Sequence, residues 1–194
     1  DLDIAWESLA MSEVDFTTAI WQPVRISKGV MVKCNFSSQE LAGAEFTNSS
    51  FNESVFKRVN FRKGSISHCH FVGAQFAEVD FFAAKMDGCI FSNASLTGCN
   101  FTNAVMPSAN FDSTTLQQVS FKSAELGRSR FDKATTDRTV FADANLTQAD
   151  FSHAVLDATS FNEASVQYAN FHAATGSFGL SEAQRLTAFF TDDE

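Results

Sequence analysis

The fold is decided by one stretch of the chain, residues 91–111, which reads FSNASLTGCNFTNAVMPSANF. Its hydrophobic residues recur at every fifth position, and a small residue stands two positions before each of them. This period fits neither the roughly 3.6 residues of a helical turn nor the alternation of a flat strand. Two inward positions in every five residues require a short extended segment and a corner each time, which predicts a β-helix.

The five-residue period extends over most of the chain. From Phe16 to Phe171 it passes through 32 positions, of which 31 are hydrophobic. Thr136 is the exception, and we expect a local gap or irregularity there. Thirteen Phe residues follow one another at every tenth position up to Phe171, which predicts aromatic columns beside mostly aliphatic ones. From Glu7 to Arg185 every charged residue lies outside the two inward positions, so the predicted core buries no charge.

The cysteines and histidines are explained by the same register. All four cysteines occupy the small inward position, where a thiol packs as a small hydrophobic group, so we expect neither a disulfide nor redox chemistry. The histidines all fall on outward positions, and the pattern brings no set of them together at the spacing of a metal site. The residues concerned are Cys34, Cys69, Cys89 and Cys99, and His68, His70, His153 and His172.

The repeated motif Ala-(Asn/Asp)-(Phe/Leu)-x-x, which covers roughly residues 14–174, resembles the pentapeptide-repeat family. The resemblance implies an all-β fold, a right-handed quadrilateral β-helix with four pentapeptides in each coil. About eight coils at about 4.8 Å each would make a rod about 38 Å long. We therefore divide the chain into an N-terminal cap (1–13), a pentapeptide-repeat β-helix (14–176), and a C-terminal helix with an acidic tail (177–194).

The register ends after Phe171, and residues 181–190 are typical of a short helix with Ser181 as its N-cap. Apolar residues of this segment can gather on one side and cover the last coil, as the exposed end of a solenoid requires. The same side could also dock onto a second copy and form a homodimer. The residues expected to gather are Leu180, Ala183, Leu186, Phe189 and Phe190, of which Leu186, Phe189 and Phe190 are the dimerisation candidates.

The charge of −9 argues against direct binding of nucleic acid, which needs Lys and Arg for the phosphates. The acids are unevenly spread, because residues 139–176 hold four acids and no base. Acids twenty residues apart should stack between coils, where their repulsion is mildly destabilising, so their presence indicates either a surface used for binding or a solvated face on which the repulsion costs little. The partner-binding candidates are Asp137, Asp143, Asp150, Asp157 and Glu163.

An acidic rod with a C-terminal helix is similar to the bacterial quinolone-resistance-type members of the family. That resemblance implies a cytoplasmic protein that binds DNA gyrase or topoisomerase IV as a mimic of DNA. B-DNA carries one charge per roughly 1.7 Å, so only the C-terminal coils are dense enough for such mimicry. The alternative is a scaffold domain of a larger protein, such as a secreted bacterial effector, which a basic cluster at Lys57, Arg58, Arg62 and Lys63 fits.

The sequence contains no recognisable catalytic machinery. It lacks a nucleophile with a neighbouring base, a glycine-rich phosphate loop and a pair of carboxylates in an apolar setting. Its longest apolar runs are far shorter than the roughly 20 residues that span a bilayer. We expect a protein-binding rod with no enzymatic activity, no cofactor and no membrane association.

Overall fold

Backbone pairing at a spacing of twenty residues, which becomes nineteen in part of the last turn, builds the molecule. The computed structural model describes residues 4–21 and 24–190, and in it all paired strands are parallel, with Ile4 opposite Val24 as the first example. The strands are short because every five residues bring a corner. They are β1 (Ile4–Glu7), β2 (Ala10–Ser12), β3 (Val24–Ser27), β4 (Val30–Val32), β5 (Glu45–Thr47), β6 (Val55–Lys57), β7 (Ser65–Ser67), β8 (Gln75–Ala77), β9 (Ser95–Thr97), β10 (Thr115–Gln117), β11 (Thr135–Asp137), β12 (Val155–Asp157), β13 (Thr159–Ser160) and β14 (Phe178–Gly179).

Four ladders of pairing run along the rod, so that each coil has four sides, which we call faces 1 to 4 in chain order. Face 1 contains the sheet β1-β3-β5-β7, and face 2 contains the pair β2-β4. Face 3 contains the six-stranded sheet β6-β8-β9-β10-β11-β12, and face 4 contains the pair β13-β14. Isolated bridges continue each ladder where the strands are too short to be counted. In the third coil, for example, the inward residues at the centres of faces 1 to 4 are Phe46, Phe51, Phe56 and Phe61.

The solenoid makes about nine turns, slightly more than the sequence predicted. The difference arises at the start of the chain, where β1 pairs with β3 and β2 pairs with β4 in the register of the later coils. Strands β1 and β2 lie within the segment (1–13) that the sequence assigned to an N-terminal cap. The first coil therefore begins before the five-residue pattern becomes clear.

The core consists of side-chain columns that run the length of the rod. Phe91 stacks on Phe111 with ring centroids 4.8 Å apart and planes 1° from parallel, and Phe131 stacks on Phe151 at 4.7 Å and 3°. Rings in successive coils can stack because the strand spacing is close to the stacking distance of aromatic rings. Two such columns, on faces 2 and 4, meet edge to face inside the rod, as between Phe121 and Phe131. The predicted aromatic columns are confirmed.

The last coil is covered by a segment that is helical for one turn only. Helix α1 (Glu182–Arg185) starts at Ser181, whose side chain accepts a hydrogen bond from the Gln184 backbone while the Gln184 side chain accepts one from Ser181 N. The helix ends early because the chain returns to the solenoid, where Phe189 N donates to Ala169 O at 2.8 Å. The expected helix over residues 181–190 is therefore wrong beyond its first turn.

The irregularity expected at Thr136 is absent. Thr136 lies in β11, which pairs regularly with β10 and β12, and its side chain is buried. Its hydroxyl shares a hydrogen bond with the hydroxyl of Thr159 in the small inward position of the next coil, and Thr159 also donates to Asp157 O at 3.2 Å. The two threonines thus form a satisfied polar pair inside an apolar core.

This pair predicts a non-additive double-mutant cycle. The single change Thr136→Leu should lower the free energy of unfolding by about 1 to 3 kcal/mol, because it removes a partner of Thr159 and crowds its methyl group. Adding Thr159→Ala removes the hydroxyl that has lost its partner and makes room for the leucine, so the double variant should recover most of the loss. Urea unfolding of the four proteins measures the coupling, and additive effects would contradict the pairing.

All four cysteines are buried free thiols, as predicted. Burial raises the pKa of Cys69 and Cys99 to about 12, and burial also raises the pKa of Cys89 strongly. Cys89 lies one coil from Cys69 and its thiol donates to Ile66 O at 3.0 Å. The Cys69, Cys89 and Cys99 thiols therefore stay protonated in the folded protein at a pH where their unfolded counterparts, with a pKa of about 8.5, begin to ionise.

The raised pKa values predict a loss of stability at alkaline pH. The stabilisation that comes from the protonated thiols is complete below about pH 8.5. It is lost as the pH rises toward 12, because in this range only the unfolded chain releases the thiol protons. At pH 9.5 each of these thiols should lower the free energy of unfolding by about 1 kcal/mol relative to its value at pH 7.5. Urea unfolding at both values, compared with a variant carrying Cys69→Ala, Cys89→Ala and Cys99→Ala, isolates the effect. An equal pH response in the variant would contradict it.

Candidate partner-binding surface

The five acids predicted to bind a partner do not lie on one side of the rod. Asp137 and Asp157 stack directly on face 3 as paired residues of β11 and β12. Asp143 and Glu163 follow face 4 at the same corner of successive coils, and Asp150 lies on face 2. The stacked pairs expected from the twenty-residue spacing are thus present, but the complete set forms a band around three faces instead of a single strip.

The environments of these acids differ. Asp137 forms a bidentate ion pair with Arg138, which raises the pKa of that guanidinium, first through the hydrogen bonds and then through the carboxylate charge. Asp143 lies 3.9 Å from the Lys122 amine, so its charge is only loosely compensated. Asp150 is half-buried and accepts hydrogen bonds from Ser152 N and Asn170 Nδ2. Its carboxylate therefore shapes the local turn as well as the surface charge.

The most open acids stand at the C-terminal end. Asp157 and Glu163 are exposed, and Glu163 lines an open groove of about 440 Å³ between the last coil and α1. Within the described part of the chain, neither carboxylate forms an ion pair with a base. Together with Asp143 and Asp150, they surround the last two coils, where residues 139–176 contain no Lys or Arg.

A mixed cluster adjoins this band on face 2. Asp132 is only 19 % exposed at its side chain and contacts His153 Nδ1 at 2.9 Å and Lys133 Nζ at 3.3 Å. Partial burial acts to raise the pKa of Asp132, but hydrogen bonds from His153, Lys133 and Ser152 outweigh it and hold the pKa below its usual value. Asp132 is thus a well-compensated acid that sequence reasoning did not separate from the exposed ones.

His153 and His172, which the twenty-residue register leaves apart, are neighbours in the structure. Their rings meet edge to face with centroids 5.2 Å apart. The two positions are nineteen residues apart and sit at one corner of adjacent coils, a proximity that a search at twenty-residue spacing misses. His68 and His70 flank the buried Cys69 and are both exposed. Among the residues that the structure describes, no group of three or more potential ligands could hold a metal ion.

The three dimerisation candidates are divided by the structure. Phe190 stacks on Phe171 at 5.5 Å and packs against the core, so it closes the last coil. Leu186 and Phe189 point outward, with 81 % and 56 % of their surfaces exposed, and Phe189 lies beside the ring of Tyr168 at 6.0 Å. An exposed apolar patch of Tyr168, Leu186 and Phe189 therefore remains at this end.

The described helix is too short to cross a membrane.

Comparison with known proteins identifies the repeat. A profile described as the pentapeptide repeat region matches residues 44–121, and one described as eight copies of pentapeptide repeats matches residues 139–175, so that together they cover more than half of the chain. No curated protein sequence matches.

Solved structures match the whole rod. Full-length QnrB1, a plasmid-mediated fluoroquinolone resistance protein, superposes with a TM-score of 0.65 at 16% identity, covering 94% of this chain and 96% of that chain. A trypsin-treated variant of QnrB1 gives a TM-score of 0.63 at 17% identity, with 94% and 93% covered. At such identities the likeness concerns the fold. The repeat matches, the twenty-residue pairing and the four-sided coil together show that the chain belongs to the pentapeptide-repeat family.

Proposed function

We propose that this protein is a non-enzymatic rod that binds DNA gyrase or topoisomerase IV through its C-terminal coils, in place of DNA, and protects them from quinolones. The observation that carries the proposal is the band of Asp143, Asp150, Asp157 and Glu163 around two coils without a base. A partner of this kind would place the protein in the bacterial cytoplasm.

The charge of the described rod restricts the mimicry to that end. Five of the 23 acids, namely Asp1, Asp3, Asp192, Asp193 and Glu194, lie outside the described residues, which leaves 18 acids against 14 bases and a net charge of −4. Such a charge is too low for a DNA mimic along the whole length. Two coils span about 10 Å, so the four acids of the band give one charge per about 2.4 Å, close to the roughly 1.7 Å of B-DNA.

The likeness to QnrB1 supports the proposal at the level of shape. The match extends over nearly all of both chains, so the two rods have similar extents. QnrB1 is a plasmid-mediated fluoroquinolone resistance protein, and the same fold and extent in this chain support a role in quinolone protection. The acidic band supplies the electrostatic part of the argument independently of that likeness.

The proposal predicts that charge reversal at the band abolishes activity. Purified protein at micromolar concentration should inhibit gyrase supercoiling or relieve its poisoning by a quinolone. Reversal of Asp143, Asp150, Asp157 and Glu163 to Lys should reduce that effect at least tenfold, because the surface then repels a DNA-binding site. The assay is supercoiling of relaxed plasmid with and without the drug.

A matched control reverses four acids elsewhere on the rod, Glu13, Glu40, Glu53 and Asp80. Asp80 is the counterpart of Asp150, since it also accepts a backbone hydrogen bond two residues ahead and one from an Asn in an adjacent coil. The control has the same net charge as the test variant and should keep the wild-type effect. Equal loss in both variants, or no effect of the wild type on gyrase, would count against binding through the band.

We also propose that two copies join at the C-terminal end, through Leu186 and Phe189. The exposed patch that they form with Tyr168 is the kind of apolar surface that marks a contact between proteins. Two rods joined there would meet end to end, so that their two acidic bands would be adjacent and the charged surface would be longer. Phe190, which the sequence also suggested for the dimer contact, packs on Phe171 and covers the last coil of its own rod.

Dimerisation predicts a mass in solution twice the 21.2 kDa of the chain. Leu186→Ser with Phe189→Ala should give a monomer, because these side chains are exposed in the single rod and their loss leaves its core intact. Ile20→Ala is the control, since Ile20 is the apolar residue most exposed at the other end. Sedimentation equilibrium distinguishes the outcomes, and a monomeric wild type would reject the dimer.

A scaffold that binds another protein along its faces, as one domain of a larger protein such as a secreted effector, is the second candidate. It is favoured by the mixed charge of most of the rod and by the exposed bases at residues 57–63. The gyrase assay separates the two functions, since a scaffold would leave the enzyme unaffected.

A further inference from the structure

Four exposed cations lie at the two ends of face 4 in one coil. Lys57 and Arg58 form the corner that leads from face 3 into face 4, and Arg62 and Lys63 form the corner that ends face 4, so only three residues separate the two pairs along the chain. Of those three, Val59 and Phe61 point into the core. We name the surface formed by Lys57, Arg58, Arg62, Lys63 and Phe82 the corner patch.

Most cations of the corner patch lack the compensation seen elsewhere on the rod. Bases on other coils commonly pair with an acid of a neighbouring coil, as Lys28 does with Glu7 at 2.9 Å. In the described part of the chain, Lys57, Arg58 and Lys63 form no ion pair. The two lysines have only small or uncharged residues above and below them, namely Ser37 and Ala77 for Lys57, and Gly43 and Ala83 for Lys63.

Arg62 is fixed in place beside an aromatic ring. Its guanidinium lies 4.2 Å from the ring centroid of Phe82 and 2.8 Å from the Asp80 carboxylate, which also accepts a hydrogen bond from Asn100. Phe82 is the only Phe of the repeat that occupies an outward position. Arginine and aromatic side chains are enriched where proteins meet, and a pre-positioned pair loses little entropy on binding.

We propose that the corner patch binds a short acidic segment of another protein, rich in Asp and Glu. Acids surround the patch on the neighbouring coils, with Glu40 on the coil before it and Glu78 on the coil after it. A nucleic acid would carry a continuous line of phosphates past these carboxylates, whereas a peptide a few residues long can place its acids on the cations alone. The net charge of −4 on the described rod likewise disfavours a long polyanion.

The test uses a fluorescein-labelled peptide with one Glu-Asp-Glu-Asp segment between glycines and a labelled single-stranded DNA of four phosphates, each titrated with the protein at low salt. Fluorescence anisotropy should show binding of the peptide by the wild type. Lys57→Ala with Lys63→Ala should weaken it at least tenfold. Arg62→Ala should also weaken it, because the oriented guanidinium is lost.

The matched control is Lys85→Ala with Arg128→Ala, which removes two exposed bases of face 1 that likewise form no described ion pair. It should bind the peptide within twofold of the wild type. Circular dichroism with urea unfolding verifies that each variant folds. Absence of peptide binding, equal weakening by the control, or tighter binding of the DNA that disappears with Lys57 and Lys63 would each overturn the proposal.

Discussion

Every coil of this rod depends on the backbone hydrogen bonds that it makes with the next coil, twenty residues away. These bonds keep the coils parallel, so the chain must turn at each corner without losing its partners. The turn uses the left-handed conformation, which non-glycine residues adopt at 28 described positions at a cost of about 1 kcal/mol each. The corner amide still donates, as Ser113 N does to Asp132 O at 2.9 Å, and the stacked core between the corners offsets the strain.

Because backbone pairing fixes the register, the sequence predicts the features that recur in every coil. It predicts few of the side-chain contacts between residues at different positions of the coil. The inward columns, the outward charges and the four buried thiols follow from the five-residue period alone. The contacts of Thr136 with Thr159 and of His153 with His172 span 23 and 19 residues, so they depend on side-chain direction at the corner. The length of the C-terminal helix depends on where the chain resumes pairing with the last coil, which local helix propensity does not encode.

Charge on such a rod is organised as ladders. A base is neutralised when an adjacent coil offers an acid near the same corner, as Lys33 and Glu53 illustrate. Uncompensated regions therefore arise where a ladder lacks its counterpart, at the acidic band near one end and at the corner patch in the N-terminal half. Both lie on the outside of an elongated body, where they are suited to contact with a macromolecule more than to enclosure of a small molecule.

The buried threonine pair has a consequence for how the chain finds its register. Neighbouring coils of this rod are nearly interchangeable, so a strand that docked one coil too early would still bury its Phe and Leu residues. Such a slip would separate Thr159 from Thr136 and leave the Thr136 hydroxyl without that partner in the core. The contact between Thr136 and Thr159 thus favours the native alignment of these two coils over alignments that are otherwise nearly equivalent.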